Sequence, residues 1–136
     1  MPFMSWNDRL KLGIEAVDDD HRKLVEILNT IYDGVEAGLS KETLGGLLDE
    51  LVRYTQYHFA REEELFARHN YPYAGEHAFE HAMMTEWCAE TQADFRREAL
   101  TAPSLQVLSY LKDWLFDHIM DSDQRFGEWA RQHGLC

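Results

Sequence analysis

Two spacings, His58-Phe-Ala-Arg-Glu62 and His77-Ala-Phe-Glu-His81, constrain this chain more than anything else in it. Each sets two metal-competent side chains four residues apart. On an α-helix such residues share a face, with Cβ atoms roughly 5–6 Å apart. A pair so placed reaches one ion or two adjacent ions, so both segments are expected to be helices that meet around metal. His21, His118 and Asp123 complete a set that takes five of the chain's seven histidines.

The apolar pattern agrees. From about Asp18 to Ala37, Leu24, Leu28, Ile31 and Val35 recur every three or four positions and His21 continues their stripe, with Gly38 as the stop. A second stretch, about Lys41 to Arg68, lines up Leu44, Leu48, Leu51, Thr55, His58, Glu62 and Leu65, with Ser40 as its start signal. Gly45-Gly46 lies early in it, and each glycine costs about 1 kcal/mol relative to alanine, which predicts a loose first turn. Asn70-Tyr-Pro72 breaks the pattern. The third stretch, about Tyr73 to Ala99, aligns His77, His81, Met84, Cys88, Thr91 and Phe95. The fourth opens at Thr101-Ala-Pro103, with Pro103 expected inside the first turn. It carries Leu108, Leu111, Leu115, His118 and Ser122 towards Gly134.

Four long helices with short connections predict an all-α, antiparallel up-down-up-down four-helix bundle. One domain over 1–136 is expected: an irregular N-terminal arm, 1–17, and a bundle, 18–134. Trp6, Leu10, Leu12 and Ile14 are the arm's packing residues. His118 and Asp123 stand five apart, which on a regular helix rotates one from the other by roughly 140°. The spacing therefore predicts a π-type widening near His118 to Asp123, where i→i+5 bonding brings them onto one face.

A net charge of −12 without a basic block argues against nucleic acid and anionic membrane as partners. No apolar run is long enough to span a bilayer, and the N-terminus lacks the pattern of a signal peptide. Cys88 reads as a small buried hydrophobe and Cys136 as a free thiol in the tail, so the expected compartment is the cytoplasm. His69 and His133 fall off the stripes and are expected at the surface; Glu63 and Glu64 are expected to be solvated.

Burying five imidazoles and two carboxylates without partners would cost several kcal/mol each, and a metal centre removes that cost. The donors exclude a thiolate zinc site and the all-oxygen shells of calcium or magnesium. Imidazole with carboxylate suits iron, copper, manganese or zinc. Seven ligands are too many for one ion; two ions bridged by two carboxylates use all seven, and iron fits the mixture best.

Taken in order, the Trp6 arm, Asp-Asp-His21, His58-x-x-x-Glu62, His77-x-x-x-His81 and Trp114-Leu-x-x-His118-Ile-x-x-x-Asp123 resemble the hemerythrins, in particular the bacterial single-domain bacteriohemerythrins. The resemblance spans nearly the whole chain. It implies two non-haem iron ions with a bridging oxo or hydroxo group, binding O2 reversibly for transport, storage or delivery, with any protein recipient left unnamed. One iron would take His77, His81 and His118 and the other His21 and His58, with Glu62 and Asp123 bridging. Eleven of twelve positions are then filled, and the vacancy for O2 falls on the two-histidine iron. Phe59, Trp114, Leu115 and Ile119 are the candidates for a dry pocket around it. All seven ligands come from one chain, so a monomer suffices.

Two other readings share this centre: a di-iron enzyme acting on NO or peroxide, and an O2 or redox sensor. Oxygen-cleaving di-iron bundles use Glu-x-x-His motifs and carboxylate-rich shells. No Glu-x-x-His occurs here. Imidazole-rich shells stabilise the diferrous state, which favours a carrier over an enzyme.

Overall fold

The computed structural model describes residues 2–97 and 103–135. Four rods form the bundle: α1 (Glu15–Glu36), α2 (Lys41–His69), α3 (Ala74–Arg97), and a fourth in which α4 (Leu105–His118) runs through a π-helical turn (Ile119–Asp123) into α5 (Gln124–Gln132). The rods run up, down, up and down, as the four stripes predict. Among the described residues there is no strand, and no helix is long and apolar enough to cross a membrane.

Local chemistry sets the helix ends. Ser40 Oγ accepts from Thr43 N at 3.1 Å and Ser104 Oγ from Val107 N at 3.2 Å, so both serines cap the helices that follow them. Pro103 therefore lies before a cap rather than inside a first turn; Thr101, Ala102, Ala99 and Cys136 lie outside the described residues. Asn70 ends α2 in the left-handed region (φ 55), where its short polar side chain is tolerated. Gly38 ends α1 with φ 72, and Leu39 N reaches back to Gly34 O at 3.0 Å. The loose turn expected at Gly45-Gly46 is absent: α2 is regular from Lys41, held by the Ser40 cap on one side and by buried Leu44 and Leu48 on the other.

α1 starts three residues earlier than the stripe suggested, because Asp18 ties the arm to its first turn. The Asp18 carboxylate is buried and accepts from Leu12 N at 2.8 Å and Gly13 N at 3.1 Å. The arm is clamped at its other edge too. Arg131 Nη1 donates to Leu12 O at 2.6 Å, and Gln124 Nε2 donates to Arg9 O and Lys11 O. A Cβ on Gly127 would stand 3.1 Å from both Leu12 Cβ and Leu12 O, so glycine is what lets the arm lie flat on α5.

Two apolar clusters make the core. The larger holds Leu24, Leu28, Leu51, Met84, Cys88, Leu108 and Leu111 among others. The smaller joins Leu10 and Leu12 of the arm to Val17, Phe66, Tyr71, Ile119 and Phe126. Along every rod the candidate ligands fall between residues of the two clusters: His21 between Val17 and Leu24, Glu62 between Phe59 and Phe66. The polar layer is thus sandwiched between two apolar ones.

Candidate metal centre

All seven residues singled out in the sequence are buried and converge in that layer. They form two groups whose donor atoms lie within 4.8 Å of one another. Glu62, His77, His81, His118 and Asp123 make one, His21, His58, Glu62 and Asp123 the other. Glu62 and Asp123 belong to both. Asp123 divides its oxygens cleanly, with Oδ1 2.8 Å from His77 Nε2 and 3.3 Å from His118 Nε2, and Oδ2 3.0 Å from His21 Nε2. Glu62 Oε1 lies 2.5 Å from His58 Nε2, and Oε2 lies 3.6 Å from His77 Nε2. The π-helical turn puts Asp123 beside His118, as the five-residue spacing predicted.

The donors fit a metal better than they fit one another. His118 Nε2 stands 3.1 Å from His77 Nε2 and 3.2 Å from His81 Nε2. Three nitrogens on adjacent corners of an octahedron, each about 2.1 Å from its centre, stand roughly 3.0 Å apart. Beyond those mutual contacts, the four carboxylate oxygens of Glu62 and Asp123 and the Nε2 of His58 are buried with no further hydrogen-bond partner. Without metal the balance must be struck with protons. Burial opposes charge on His58, but the Glu62 charge and the Asp20 and Glu62 contacts outweigh it and push the imidazole up to about 10. His118 rises to about 10 against its own burial through Asp123 and Glu80. His81 goes the other way, burial driving it down to about 3. Glu62 is pushed up by burial and by Asp123, yet His58 and His21 hold it down at about 2. Bound cations would take the place of those protons.

The ligand layer is braced by rings. Phe59 stacks on His81 with centroids 3.9 Å apart and planes 6° from parallel, and Trp114 stacks on His118 at 4.5 Å and 10°. One helical turn beyond the ligands lies an apolar cavity of about 30 Å³. Leu24, Thr55, Met84 and Leu115 line it, each three residues from a ligand on its own rod, together with Phe59 and Trp114. Three of the four pocket candidates therefore line the cavity. Ile119 is not among its lining residues; it is fully buried and packs in the smaller cluster, against which Leu115 also rests.

Sequence periodicity missed a set of carboxylates. Asp20 Oδ2 lies 3.0 Å from His58 Nδ1, Glu63 Oε2 3.2 Å from His81 Nδ1, and Glu80 Oε1 3.2 Å from His118 Nδ1. Glu63, expected to be solvated, is only partly so. The available signal was adjacency: each is the chain neighbour of a ligand. His69 and His133 stand outside the cluster, the latter exposed and stacked on Trp129 at 4.3 Å. Cys88 is buried as expected, and burial pushes its thiol up to about 12.

The chain has relatives in sequence and in fold. A bacteriohemerythrin of Stenotrophomonas maltophilia is 32% identical over 133 residues, 98% of this chain and 85% of its own length. One from Clostridium acetobutylicum is 26% identical, with 89% of this chain and 96% of the relative covered. The crystal structure of a wild-type hemerythrin superposes with a TM-score of 0.86 at 25% identity, covering 93% of this chain and 96% of that one. The hemerythrin HHE cation binding domain matches residues 12–130, and the chain belongs to that family.

Proposed function

We propose that the seven-residue cluster holds two non-haem iron ions, with a solvent-derived oxygen between them, and that the protein binds O2 reversibly there to carry, store or deliver it. The observation that supports this most directly is the pair of donor groups sharing Glu62 and Asp123. His77, His81 and His118 would hold one ion and His21 and His58 the other, with the shared carboxylates spanning both. Two ferrous ions so held supply reversible O2 binding. The two-histidine group offers one imidazole fewer, so O2 would bind on that side.

The chain's own residues favour binding over turnover. The cavity beside the centre offers no proton donor aimed into it among the described residues: Thr55 Oγ1 donates to Leu51 O at 2.7 Å, and the Cys88 thiol donates to Met84 Sδ at 3.5 Å. Phe59 and Trp114 keep water from the His81 and His118 rings they cover, and Leu115 extends the apolar wall. A dry wall without an acid favours release of an intact ligand over its reduction, so a carrier is proposed rather than an enzyme. The acidic surface and the lack of a membrane-crossing helix among the described residues fit a cytoplasmic site of action without nucleic-acid partners.

The test is a visible spectrum of iron-loaded, anaerobically reduced protein before O2, after O2 and after O2 is removed. The expected result is a charge-transfer band that appears with O2 and vanishes on its removal. Immediate, irreversible oxidation would sink the carrier reading and turn attention to NO and peroxide turnover.

A further inference from the structure

We propose that Asp20, Glu63 and Glu80 are positioning residues that form a carboxylate chain around the bundle, each helix orienting a metal-binding histidine of the next, and that Asp20 sets the affinity of the two-histidine ion. The proposal rests on the reading of the cluster as a two-metal site, and not on O2 as the ligand. Asp20 of α1 meets His58 of α2, Glu63 of α2 meets His81 of α3, and Glu80 of α3 meets His118 of α4.

Helix geometry explains the order. Successive residues are about 100° apart, so when a ligand points to the bundle axis its chain neighbour points sideways to an adjacent helix. The supporting residue precedes its ligand on α1 (Asp20, His21), follows it on α2 (Glu62, Glu63) and precedes it on α3 (Glu80, His81). Reversing a helix reverses the sense of that turn. Before, after, before on up, down, up therefore aims all three carboxylates the same way around the bundle. On α4 the residue that follows His118 is Ile119, and the one that follows Asp123 is Gln124, which donates to the arm. The chain stops there. His21, the histidine α4 would have served, has a buried Nδ1 with no partner.

A carboxylate on Nδ1 keeps the proton there and leaves the Nε2 lone pair for metal. The three contacts are not equal. Asp20 is buried and fixed from two further sides, accepting from Tyr54 OH at 3.0 Å and from Arg61 Nε at 3.1 Å. Glu80 is held by Ser122 Oγ at 2.7 Å, but its side chain and that of Glu63 are each 42% exposed, so water competes at both. The three-histidine ion has two such supports. The two-histidine ion has one, and it is the strongest.

Zinc is the probe, because it is diamagnetic and makes the test independent of iron and O2. Zn(II) is titrated into metal-free protein against a competing chelator, and the imidazole N–H resonances of the loaded protein are read by NMR. Asp20→Asn is expected to weaken one of two zinc ions by roughly 10–100-fold and to move the His58 Nδ1–H resonance. Glu63→Gln and Glu80→Gln are expected to cost less than about tenfold, at the other ion, and to move the resonances of His81 and His118. Should Asp20→Asn not fold, Tyr54→Phe and Arg61→Gln remove its anchors with the ligand set whole, and each is expected to produce a smaller loss at the same ion. Unchanged affinities with unmoved resonances, or equal losses at both ions, overturn the proposal. A wild-type chain that takes up no zinc overturns the two-metal reading along with it. Loss of reversible O2 binding with the zinc results intact sinks the carrier reading alone.

Discussion

The two halves of the cluster are built to different standards. On the three-histidine side, His118 lies within 3.2 Å of two other imidazole nitrogens, Phe59 and Trp114 cover His81 and His118, and Glu63 and Glu80 reach their outer nitrogens. On the other side His21 and His58 meet only edge to face, with centroids 4.6 Å apart. The outer nitrogen of His58 depends on one carboxylate, and His21 Nδ1 has no partner at all. Redundant support makes a donor set that survives the loss of one contact. Sparse support leaves room for a ligand, which is what a binding site needs and a structural site avoids.

The largest effect should come from what the halves share. Asp123→Ala removes the side chain that sets its two oxygens within 3.0 Å of both groups, and metal uptake is expected to fall from two ions per chain to at most one. Elemental analysis of protein loaded with excess Fe(II) under argon reads this directly; two ions retained would mean that the carboxylate is not a bridge.

Deleting a ligand from one half separates them further. His21→Ala should leave one ion on His77, His81 and His118, because nothing on that side touches His21 except through Glu62 and Asp123. Calorimetric titration should then show one binding event where the parent shows two. Loss of both events would show that the halves are one indivisible unit, and the contrast drawn between them would fail.

How much of this contrast the sequence carried follows from periodicity. A side chain's face on its own helix is read from spacing, so the seven cluster residues, the four rods and the π-helical turn were legible. Contacts that depend on how one helix is rotated against another were not. Asp20, Glu63 and Glu80 sit beside the stripe, where side chains are most often solvated, and only the docked neighbour reveals their use. Ile119, next to His118, packs with Leu10, Phe66 and Phe126, a neighbourhood that only the docked helices and arm reveal. The clamp on the arm, made by Asp18, Gln124 and Arg131, pairs side chains with backbone groups as many as 119 residues apart, and no local pattern encodes it.

Next in size is the wall between centre and cavity. Leu115→Ala opens the cavity beside His118 at a cost of about 2 kcal/mol in stability, the low end for such truncations because the residue is only half-buried. With iron and O2 bound, autoxidation is expected to quicken as water gains access, followed as decay of the O2-dependent band. An unchanged rate would remove Leu115 from the pocket and leave it as packing.

The smallest expected effect tests the claim that this wall carries no acid. Thr55 is the one hydroxyl lining the cavity, and its proton is committed to Leu51 O at 2.7 Å. Thr55→Val keeps the shape and removes the hydroxyl. The Leu51 carbonyl keeps its helical partner, so the loss in stability should stay near 1 kcal/mol. Because that proton never points at the ligand, the autoxidation rate should match the parent's. A slower rate would show that the hydroxyl turns towards the cavity and delivers its proton, and the dryness proposed for the pocket would then be an arrangement that a single rotamer of Thr55 can undo.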